Sequence, residues 1–420
     1  MDQAIIAHYQ AEFERLRPAL PGDVAVREKA LARFAAQGFP TRHEEAWKYT
    51  DLRELAKATP TVDPVPADAG LPAGILDWPS LRIGLFNGEL TVDSDLPEGL
   101  SIKALADVQA VLSTDETEPL RALNAAFVQH GVVIDVADEA QIDVPLHLRC
   151  HQTGADGVLR NVRIVIRLGR NARCMLLEQY SASDDATHFL NAITDVQLAE
   201  GAYLHRVLLQ QDASAAWHVH ATRLQQSASS QSHLVNIDLG ARLSRHDTEV
   251  SLNEAGAEVH LHGLYFPDGE RHIDNHTVID HRAPGCVSRE TYHGLLNDRG
   301  RGVFNGRIVV HRDAQKTDSE QSSRAILLSR HAEVDAKPEL EIYADDVKCA
   351  HGATVGQLDD KALFYLMSRG ISRDTARALL VCSFAGEITA AIQDEKLRRH
   401  VLSEIVQRLP GGLSADEVLA

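Results

Sequence analysis

The sequence predicts a mainly β protein that has α-helical regions at both ends. Between about residues 145 and 356, nearly every segment alternates apolar and polar side chains, and no helical pattern of ordinary length interrupts them. Helical spacing of apolar residues occurs instead near the two ends of the chain. Many short strands without interleaved helices could form a sandwich, a barrel or a solenoid of stacked coils.

The spacing of the predicted strands favours the solenoid. Strand starts recur at intervals of about 15 to 30 residues, as expected when each coil repeats the one before it. The interval is irregular, and by itself it does not decide between a solenoid and the other two folds. The starts are Ala172, Ala202, Ser232, Ala257, Cys286, Gly302 and Ala325.

The N-terminal region contains four helical patterns. Apolar residues at helical spacing predict helices over residues 2–16 and 24–37, and Gly38 follows the second where a C-cap glycine is expected. Two shorter patterns predict helices at about 103–113 and 117–128.

The C-terminal region is predicted to form three helices. Asp359 caps the first helix and Gly370 ends it. Ser372, together with Asp374, begins the second helix, and the third runs from about Glu387 to Leu409. The third helix has an apolar stripe that must be covered, and packing within the chain would cover part of it. This stripe consists of Ile388, Ile392, Leu402, Ile405 and Val406.

These patterns divide the chain into three parts. Residues 1–140 form an N-terminal helical region, residues 141–357 the β core, and residues 358–420 a C-terminal helical region. The Pro- and Asp-rich passage from Thr59 to Pro72 is typical of a linker within the first part.

Composition and charge limit the partners of the chain. Its 420 residues are 44% hydrophobic, which is enough for a large core. The net charge of −18 argues against binding to nucleic acid or to an anionic membrane, since no segment has a concentrated basic face. The sequence has neither a signal-peptide pattern at its start nor an apolar stretch long enough to span a membrane. We therefore expect a cytoplasmic protein whose partners are proteins.

The five cysteines do not indicate a disulfide framework. They are scattered, odd in number and never spaced Cys-x-x-Cys, so a self-contained zinc or cluster site is not indicated either. A phosphate-binding loop for ATP is also absent from the sequence. The cysteines are Cys150, Cys174, Cys286, Cys349 and Cys382.

One cysteine has a histidine two residues later. Cys349 and His351 lie in the segment from Tyr343 to Gln357, which alternates like a strand, so both side chains would project from one face. A thiolate and an imidazole suit iron or zinc, but two ligands do not complete a tetrahedral site. The missing ligands would come from elsewhere, for example from a second chain. The alternative is that Cys349 is a small buried apolar residue and His351 a hydrogen-bonded core residue.

A second group of histidines gives an alternative metal site. The chain has 21 histidines, and four of them lie in a segment partly similar to the metal-binding motifs of cupins. In cupins a Glu closely follows the second His, whereas Glu270 comes eight residues after His262. We expect solvated or strand-face histidines here, and a cupin-like metal enzyme remains an alternative function. The four histidines are His260, His262, His272 and His276.

Several blocks of the sequence, taken in order, resemble the SufB and SufD family of iron-sulfur cluster assembly scaffolds. They span nearly the whole chain, and the length of the chain and the position of the first block point to the SufD branch of the family. The blocks are residues 39–52, residues 300–310, residues 313–318, the Cys-Ala-His-Gly-Ala-Thr-Val-Gly run from Cys349, and residues 364–372.

This resemblance implies both a fold and a function. It implies a right-handed parallel β-helix and a non-catalytic scaffold subunit that pairs with SufB through the β-helix and docks the ATPase SufC through residues 358–420. Cys349 and His351 would then lie at the SufB contact as candidate ligands of iron or of a nascent cluster. The second alternative function, a β-helix carbohydrate-active enzyme, would need clustered catalytic residues and usually a secretion signal, and neither is visible.

The resemblance also bears on cofactors and on assembly. No cofactor is expected to bind stably to this chain alone, and an iron-sulfur cluster would be present only transiently in the complex. The resemblance leaves open whether a flavin joins the complex and whether the isolated chain pairs with itself.

Overall fold

The computed structural model describes residues 3–62, 78–87, 89–108, 116–153, 156–182, 187–409 and 418. It has a parallel β-solenoid core with helices towards both ends of the chain, as the sequence predicts. The α-helices are α1 (Gln3–Leu16), α2 (Val24–Gln37), α3 (Arg53–Ala58), α4 (Pro119–Phe127), α5 (Asp360–Ser368), α6 (Arg373–Thr389) and α7 (Glu395–Gln407).

The strands alternate between two sheets along the chain. They are β1 (Thr61–Val62), β2 (Leu81–Phe86), β3 (Glu89–Val92), β4 (Leu100–Ala104), β5 (His130–Val136), β6 (Leu146–Gln152), β7 (Val158–Leu168), β8 (Arg173–Ala182), β9 (His188–Leu198), β10 (Tyr203–Gln211), β11 (Trp217–Gln226), β12 (Gln231–Asp238), β13 (Leu243–Leu252), β14 (Glu258–Tyr265), β15 (His272–His281), β16 (Val287–Leu296), β17 (Arg301–Val310), β18 (Asp318–Leu327), β19 (Glu333–Ile342) and β20 (Lys348–Gly356).

Each coil of the solenoid contributes one strand to each sheet. Sheet A has the strand order β19-β17-β15-β13-β11-β9-β7-β5-β4, and sheet B has the order β20-β18-β16-β14-β12-β10-β8-β6-β2-β3. From β5 onward, each strand pairs in parallel with the strand two positions later. Residues paired in this way are 26 to 32 positions apart in the sequence. The spacing is 26 for Trp217 and Leu243, and 32 for Arg301 and Glu333.

The two ends of the solenoid differ. At the N-terminal end, β3 and β4 pair antiparallel with β2 and β5 and form the outermost strands of the two sheets. At the C-terminal end, β19 and β20 are the last strands, and within the described residues each has a strand neighbour on one side only. We call this end, formed by β19 and β20, the open end.

Helices cover the outer faces of both sheets. Tyr9 of α1 and Phe34 of α2 pack in one apolar cluster with Phe189 and Trp217 of sheet A. Because the solenoid interior covers the inner faces, strands in the middle of the sheets are buried on both sides, and β7 has ten buried residues out of eleven. Polar residues of β7 are therefore buried as well, and Arg163 forms ion pairs with Glu116 at 2.8 Å and with Asp195 at 2.9 Å.

The C-terminal helices cover sheet B in the same way. Phe384 of α6 and Val401 of α7 pack against Val207 and Ile237 of the sheet. The apolar stripe predicted at the C-terminus is therefore covered largely within the chain, since Ile388, Ile392, Ile405 and Val406 belong to this cluster and Leu402 packs against it.

A polar contact anchors the segment that precedes α3. The guanidinium group of Arg245 lies 3.8 Å from the centre of the Trp47 ring and forms ion pairs with Asp247 at 2.7 Å and Asp274 at 2.9 Å. The hydroxyl of Thr50 donates to the same Asp274. Trp47 and Thr50 lie in the first family-like block, residues 39–52, so this block fixes the N-terminal region on sheet A.

Some predicted elements differ from the structure. The third C-terminal helix, predicted from Glu387 to Leu409, is wrong over its first turns, because α6 continues to Thr389 and α7 begins at Glu395. Asp394 produces the break, since its carboxylate accepts a hydrogen bond from the Leu397 amide at 2.8 Å and so caps a new helix.

The helix predicted at 103–113 is also wrong where the structure describes it. Residues 100–104 form β4, which pairs with β5, and Leu105–Asp107 form a single 3-10 turn. Strand pairing outweighs the weak local helical pattern. Residues 109–113 lie outside the described part of the chain, as do residues 63–72 of the predicted linker, whose start forms β1. The boundaries of the three predicted parts remain a prediction, although β2 to β5 already extend the sheets upstream of residue 141.

We predict that Gly263→Ala destabilises the solenoid. Gly263 lies on the inner face of β14, where a Cβ would stand 2.0 Å from Cε1 of Tyr292. The Tyr292 ring crosses this glycine to reach Asn236, whose Nδ2 donates to its hydroxyl at 3.2 Å. Overpacking of this kind costs about 1–3 kcal/mol of unfolding free energy. Urea unfolding followed by circular dichroism measures the change.

The matched control is Gly352→Ala on β20, where a Cβ would meet no atom within 4 Å. We expect its unfolding free energy to stay within about 0.5 kcal/mol of the parent chain. Equal effects of the two substitutions would contradict the assigned packing of Tyr292 over Gly263.

Candidate functional site

The candidate site lies on the last strand of sheet B, at the open end. Cys349 pairs with Ser319 and His351 pairs with Gln321 across the parallel β18–β20 ladder. Cys349 and His351 are two residues apart on one strand and therefore share a face, as the sequence predicts. Ser319 and Gln321 are buried inside the solenoid, so this is the face that continues the solenoid interior.

The environments of the two side chains differ. Cys349 is half-buried and packs against the interior core, whereas His351 is exposed. Burial and the nearby Asp318 carboxylate both raise the pKa of the Cys349 thiol above its ordinary value. The alternative interpretation, in which His351 is a hydrogen-bonded core residue, is therefore wrong, and Cys349 is only partly an apolar core residue.

Cys349 differs from the other four cysteines in its accessibility. All five are free thiols, and Cys150, Cys174, Cys286 and Cys382 are buried. Burial raises the pKa of Cys174 to about 12 and that of Cys382 to about 11. Cys349 is thus the cysteine best placed to meet a reagent, a metal ion or a partner.

The open end exposes apolar surface around this pair. β20 is exposed along its length except at Cys349. Three large apolar side chains at the end are also exposed, namely Ile342 at 41%, Tyr343 at 62% and Val355 at 51%. An exposed apolar edge strand is a template for pairing with another chain unless something covers it.

The pair does not form a complete metal site within the described residues. No group of three or more His, Cys, Asp or Glu side chains there is arranged to hold a metal ion. Cys349 and His351 can supply one thiolate and one imidazole, so a tetrahedral site needs two further donors. That the missing ligands come from elsewhere, for example from a second chain, stays a prediction.

The second group of histidines is not a site. His260 and His262 lie on β14 in sheet B, whereas His272 and His276 lie on β15 in sheet A. His260 instead contacts Glu258 at 2.6 Å and stacks on His233 with the ring centres 4.4 Å apart. The cupin-like alternative is therefore wrong, because neighbours in sequence are carried to opposite sheets.

A second exposed surface lies directly after the solenoid. The helix α5 has no buried residue, and Phe364, Tyr365 and Met367 are exposed at 73%, 57% and 40%. The two helices after it pack against sheet B, so among the described residues of the C-terminal region α5 carries the uncovered apolar surface. None of the helices that the structure describes is both long and apolar enough to cross a lipid bilayer.

Comparison with known protein families assigns this chain to one of them. The family described as SUF system FeS cluster assembly, SufBD core domain, matches residues 151–384, and the SufBD protein N-terminal region matches residues 3–60. The first match alone covers more than half of the chain. The chain belongs to the SufB and SufD family. Its role is in iron-sulfur cluster assembly by the SUF system, and the resemblance found in the sequence is confirmed.

Individual relatives agree with this assignment. The iron-sulfur cluster assembly protein SufD of Escherichia coli strain K12 is 33% identical over 92% of this chain and 93% of its own length. A SufBD family protein of Synechocystis is 29% identical over 86% of both chains. The chloroplastic protein ABCI7 of Arabidopsis thaliana is 26% identical over 89% of this chain and 83% of its own.

Sequence reasoning missed the polar residues behind the candidate pair. Ser319 and Gln321 lie directly beside it, and Glu290, one coil further in, accepts a hydrogen bond from Gln321 Nε2 at 2.6 Å. These residues precede the pair by about 30 and 60 positions, so only the strand register brings them together. Their signal in the sequence was the presence of polar residues where an apolar inner face was expected.

We predict that a thiol-alkylating reagent modifies Cys349 alone in the folded chain. One adduct is expected under native conditions and five after unfolding, because the other thiols are buried. The thiolate is the reacting form, and the pKa of Cys349 is raised, so the rate should be low at neutral pH and still rise beyond pH 9. Mass spectrometry of intact and digested protein measures the adducts.

Cys349→Ser is the control, and it should abolish native modification. Native modification of any buried cysteine at a similar rate, or a rate for Cys349 that levels off near neutral pH, would contradict the described environment.

Proposed function

We propose that this chain is a non-catalytic scaffold subunit of the SUF system that pairs with SufB through the open end of its solenoid. The observation that carries the proposal is the uncovered edge strand β20, which bears the accessible thiol of Cys349 and the exposed imidazole of His351. A second solenoid placed against this end would cover the apolar side chains around Cys349 and His351. Its edge strand would also form backbone hydrogen bonds with the free edge of β20.

The chemistry of the pair suits iron or a nascent cluster as cargo. A thiolate is a soft ligand and an imidazole a borderline one, and both bind iron. Since this chain offers two donors, the SufB surface would supply the remaining ones, and the cargo would be held between the subunits. On this proposal no cofactor stays bound to the chain alone.

We further propose that SufC docks on α5. The supporting observation is the exposed apolar surface of Phe364, Tyr365 and Met367 on a helix without a buried residue. The helix α6 contacts α5, and both α6 and α7 pack against sheet B. Removing residues 369–420 would therefore uncover the sheet as well, so substitutions of exposed residues on α5 test the docking more cleanly than truncation.

We predict that Cys349→Ser and His351→Ala each reduce the cluster content of the complex co-expressed with SufB and SufC. Neither replacement supplies a thiolate or an imidazole ligand. Stability should stay within about 1–2 kcal/mol of the parent chain, because both side chains lie at an open edge. Anaerobic purification followed by iron and sulfide analysis measures the cluster, and thermal unfolding measures the stability.

The control for these two variants is Ala353→Ser, which lies two residues beyond His351 on the same face of β20. Cluster content should then remain at the parent value. Normal cluster content in either of the two variants, with SufB still bound, would exclude that residue as a ligand.

We predict that the double substitution Phe364→Ser with Met367→Ser removes SufC binding and leaves the solenoid folded. Both side chains are exposed, so their loss opens no cavity. Co-purification with SufC measures binding, and circular dichroism measures folding. Lys361→Gln is the control, since it alters the same helix without removing apolar surface. Retained binding by the double variant would show that SufC docks elsewhere.

A further inference from the structure

A row of histidines lies on the outer face of sheet B. Each member is a direct neighbour in sequence of a residue of the interior core, so its side chain points away from the interior. His205, His233 and His260 occupy paired positions of three successive coils. Their rings stack, with centres 6.3 Å apart for His205 and His233 and 4.4 Å apart for His233 and His260. The histidine row consists of His205 on β10, His233 on β12, His260 and His262 on β14, and His293 on β16.

The C-terminal helices are attached to sheet B at both ends of the histidine row. At one end, the Phe384 ring of α6 stacks on His293 with the ring centres 4.2 Å apart, and the Phe384 carbonyl lies 3.0 Å from Nδ1 of the same histidine. At the other end, Gln393 in the connection between α6 and α7 donates to the Tyr203 hydroxyl at 2.7 Å, and the Tyr203 ring packs on His233. The helix α6 also contacts β14 and β16. The row thus lies between the two points that hold α6 on the solenoid.

The members of the row are poorly placed to carry a positive charge. His205 and His293 are at most 1% exposed. Within the described residues, neither ring nitrogen of His205 has a hydrogen-bond partner. A neutral imidazole leaves one N–H group unsatisfied there, whereas a protonated imidazole would leave two. Protonation of both His233 and His260 would also place like charges on rings only 4.4 Å apart.

The fixed charges beside the row do not offset protons on it. Glu258 contacts His260 at 2.6 Å, and Glu387 lies 3.8 Å from Nε2 of His293 but also pairs with Arg324 at 2.7 Å. Three arginines and four carboxylates lie beside the row in the described part of the chain, so their charges offset one of five added protons. These groups are Arg173 on β8, Glu258 on β14, Arg289 on β16, Asp318, Glu320 and Arg324 on β18, and Glu387 on α6.

Protonation of the row competes with its burial. Burial lowers the pKa of His205 and of His262 to about 4, and neighbouring histidines contribute to both changes. Burial also lowers the pKa of His233 and that of His293, although Glu387 and the Phe384 carbonyl raise the latter. A histidine in water has a pKa of about 6.5. Since release of α6 would return these side chains to water, the row stabilises the docked helix above about pH 6.5, and this contribution is lost as the pH falls towards about 4.

We propose that the histidine row is an acid-sensitive latch for the C-terminal helices. At neutral pH the uncharged rings pack against one another and against α6, and protonation of several rings releases α6 from sheet B in a local opening of the chain. This role in cluster assembly rests on the proposed function, in which α5 carries the surface for SufC. Because α5 contacts α6, acid release of α6 would also displace that surface.

Hydrogen exchange of the isolated full-length chain tests the latch. Mass spectrometry measures amide protection at about pH 7.5 and about pH 5, corrected for the intrinsic pH dependence of exchange. We expect the protection of α6 to fall roughly tenfold or more at the lower pH, while β9 and β11 in the middle of sheet A keep theirs. Unchanged protection of α6 would overturn the proposal. Equal loss from α6 and the two strands would overturn it as well, because the whole chain would then be unfolding.

The double substitution His233→Gln with His262→Gln tests whether the row is the sensor. Both side chains are partly exposed, so the fold should tolerate the change. With two protonation sites removed, the opening of α6 should shift to lower pH by about half a pH unit or more. The control His43→Gln changes an exposed histidine of the N-terminal region and should leave the opening at the parent pH. Identical opening curves for the double variant and the parent would exclude the row as the sensor.

A second measurement separates the latch from the docking of SufC. Complexes co-expressed with SufB and SufC are immobilised through a tag on this chain and washed at about pH 5. The parent complex should lose roughly twice as much SufC as the double variant, or more. Equal loss from both would overturn the link between the row and SufC binding. If α6 opens in the exchange experiment while SufC stays bound to the parent, the docking on α5 is wrong and the latch stands.

Discussion

Every part of this molecule depends on the parallel pairing between each strand and the strand two positions later. This pairing stacks equivalent positions of successive coils, so each inner side chain meets the side chains one coil before and after it. Polar residues in the solenoid interior must therefore find their hydrogen-bond partners among other interior residues. Glu178 does so by accepting from Nε of Arg206 at 2.7 Å and from the Thr194 hydroxyl at 2.9 Å. A one-residue slip would turn these groups outward and bring outer residues into the core.

The same register made much of the fold predictable from sequence. Ala172, Ala202, Ala257 and Cys286 each come directly before a strand of sheet B, and all four are buried in the interior core. Small residues are needed there because the chain bends into the next strand at a crowded corner. Their repetition was visible in the sequence as strand starts that recur at irregular intervals, and the family resemblance was needed to choose the solenoid. Caps such as Asp359 and Ser372 were also predictable, since their side chains accept hydrogen bonds from nearby amides as local rules require.

Other features could not be predicted because they depend on contacts distant in sequence. The length of a coil varies, so the partner of a given residue cannot be counted from the sequence, and the neighbours of Cys349 and His351 were missed for this reason. The strand β4 forms because it pairs with β5, whereas its own weak local pattern predicted a helix. The candidate pair itself was found because both residues lie on one strand, where a spacing of two residues has a direct geometric meaning.

The antiparallel strands β3 and β4 make the two ends of the solenoid different as surfaces for strand pairing. They are the outermost strands at the N-terminal edges of the two sheets, and they run in the direction opposite to the coils. At the open end, β19 and β20 keep the direction of the coils. A chain that adds a strand to the open end therefore meets the same parallel edge that each coil presents to the next one, whereas the N-terminal edges present reversed strands. The two ends are thus not interchangeable as templates for another chain.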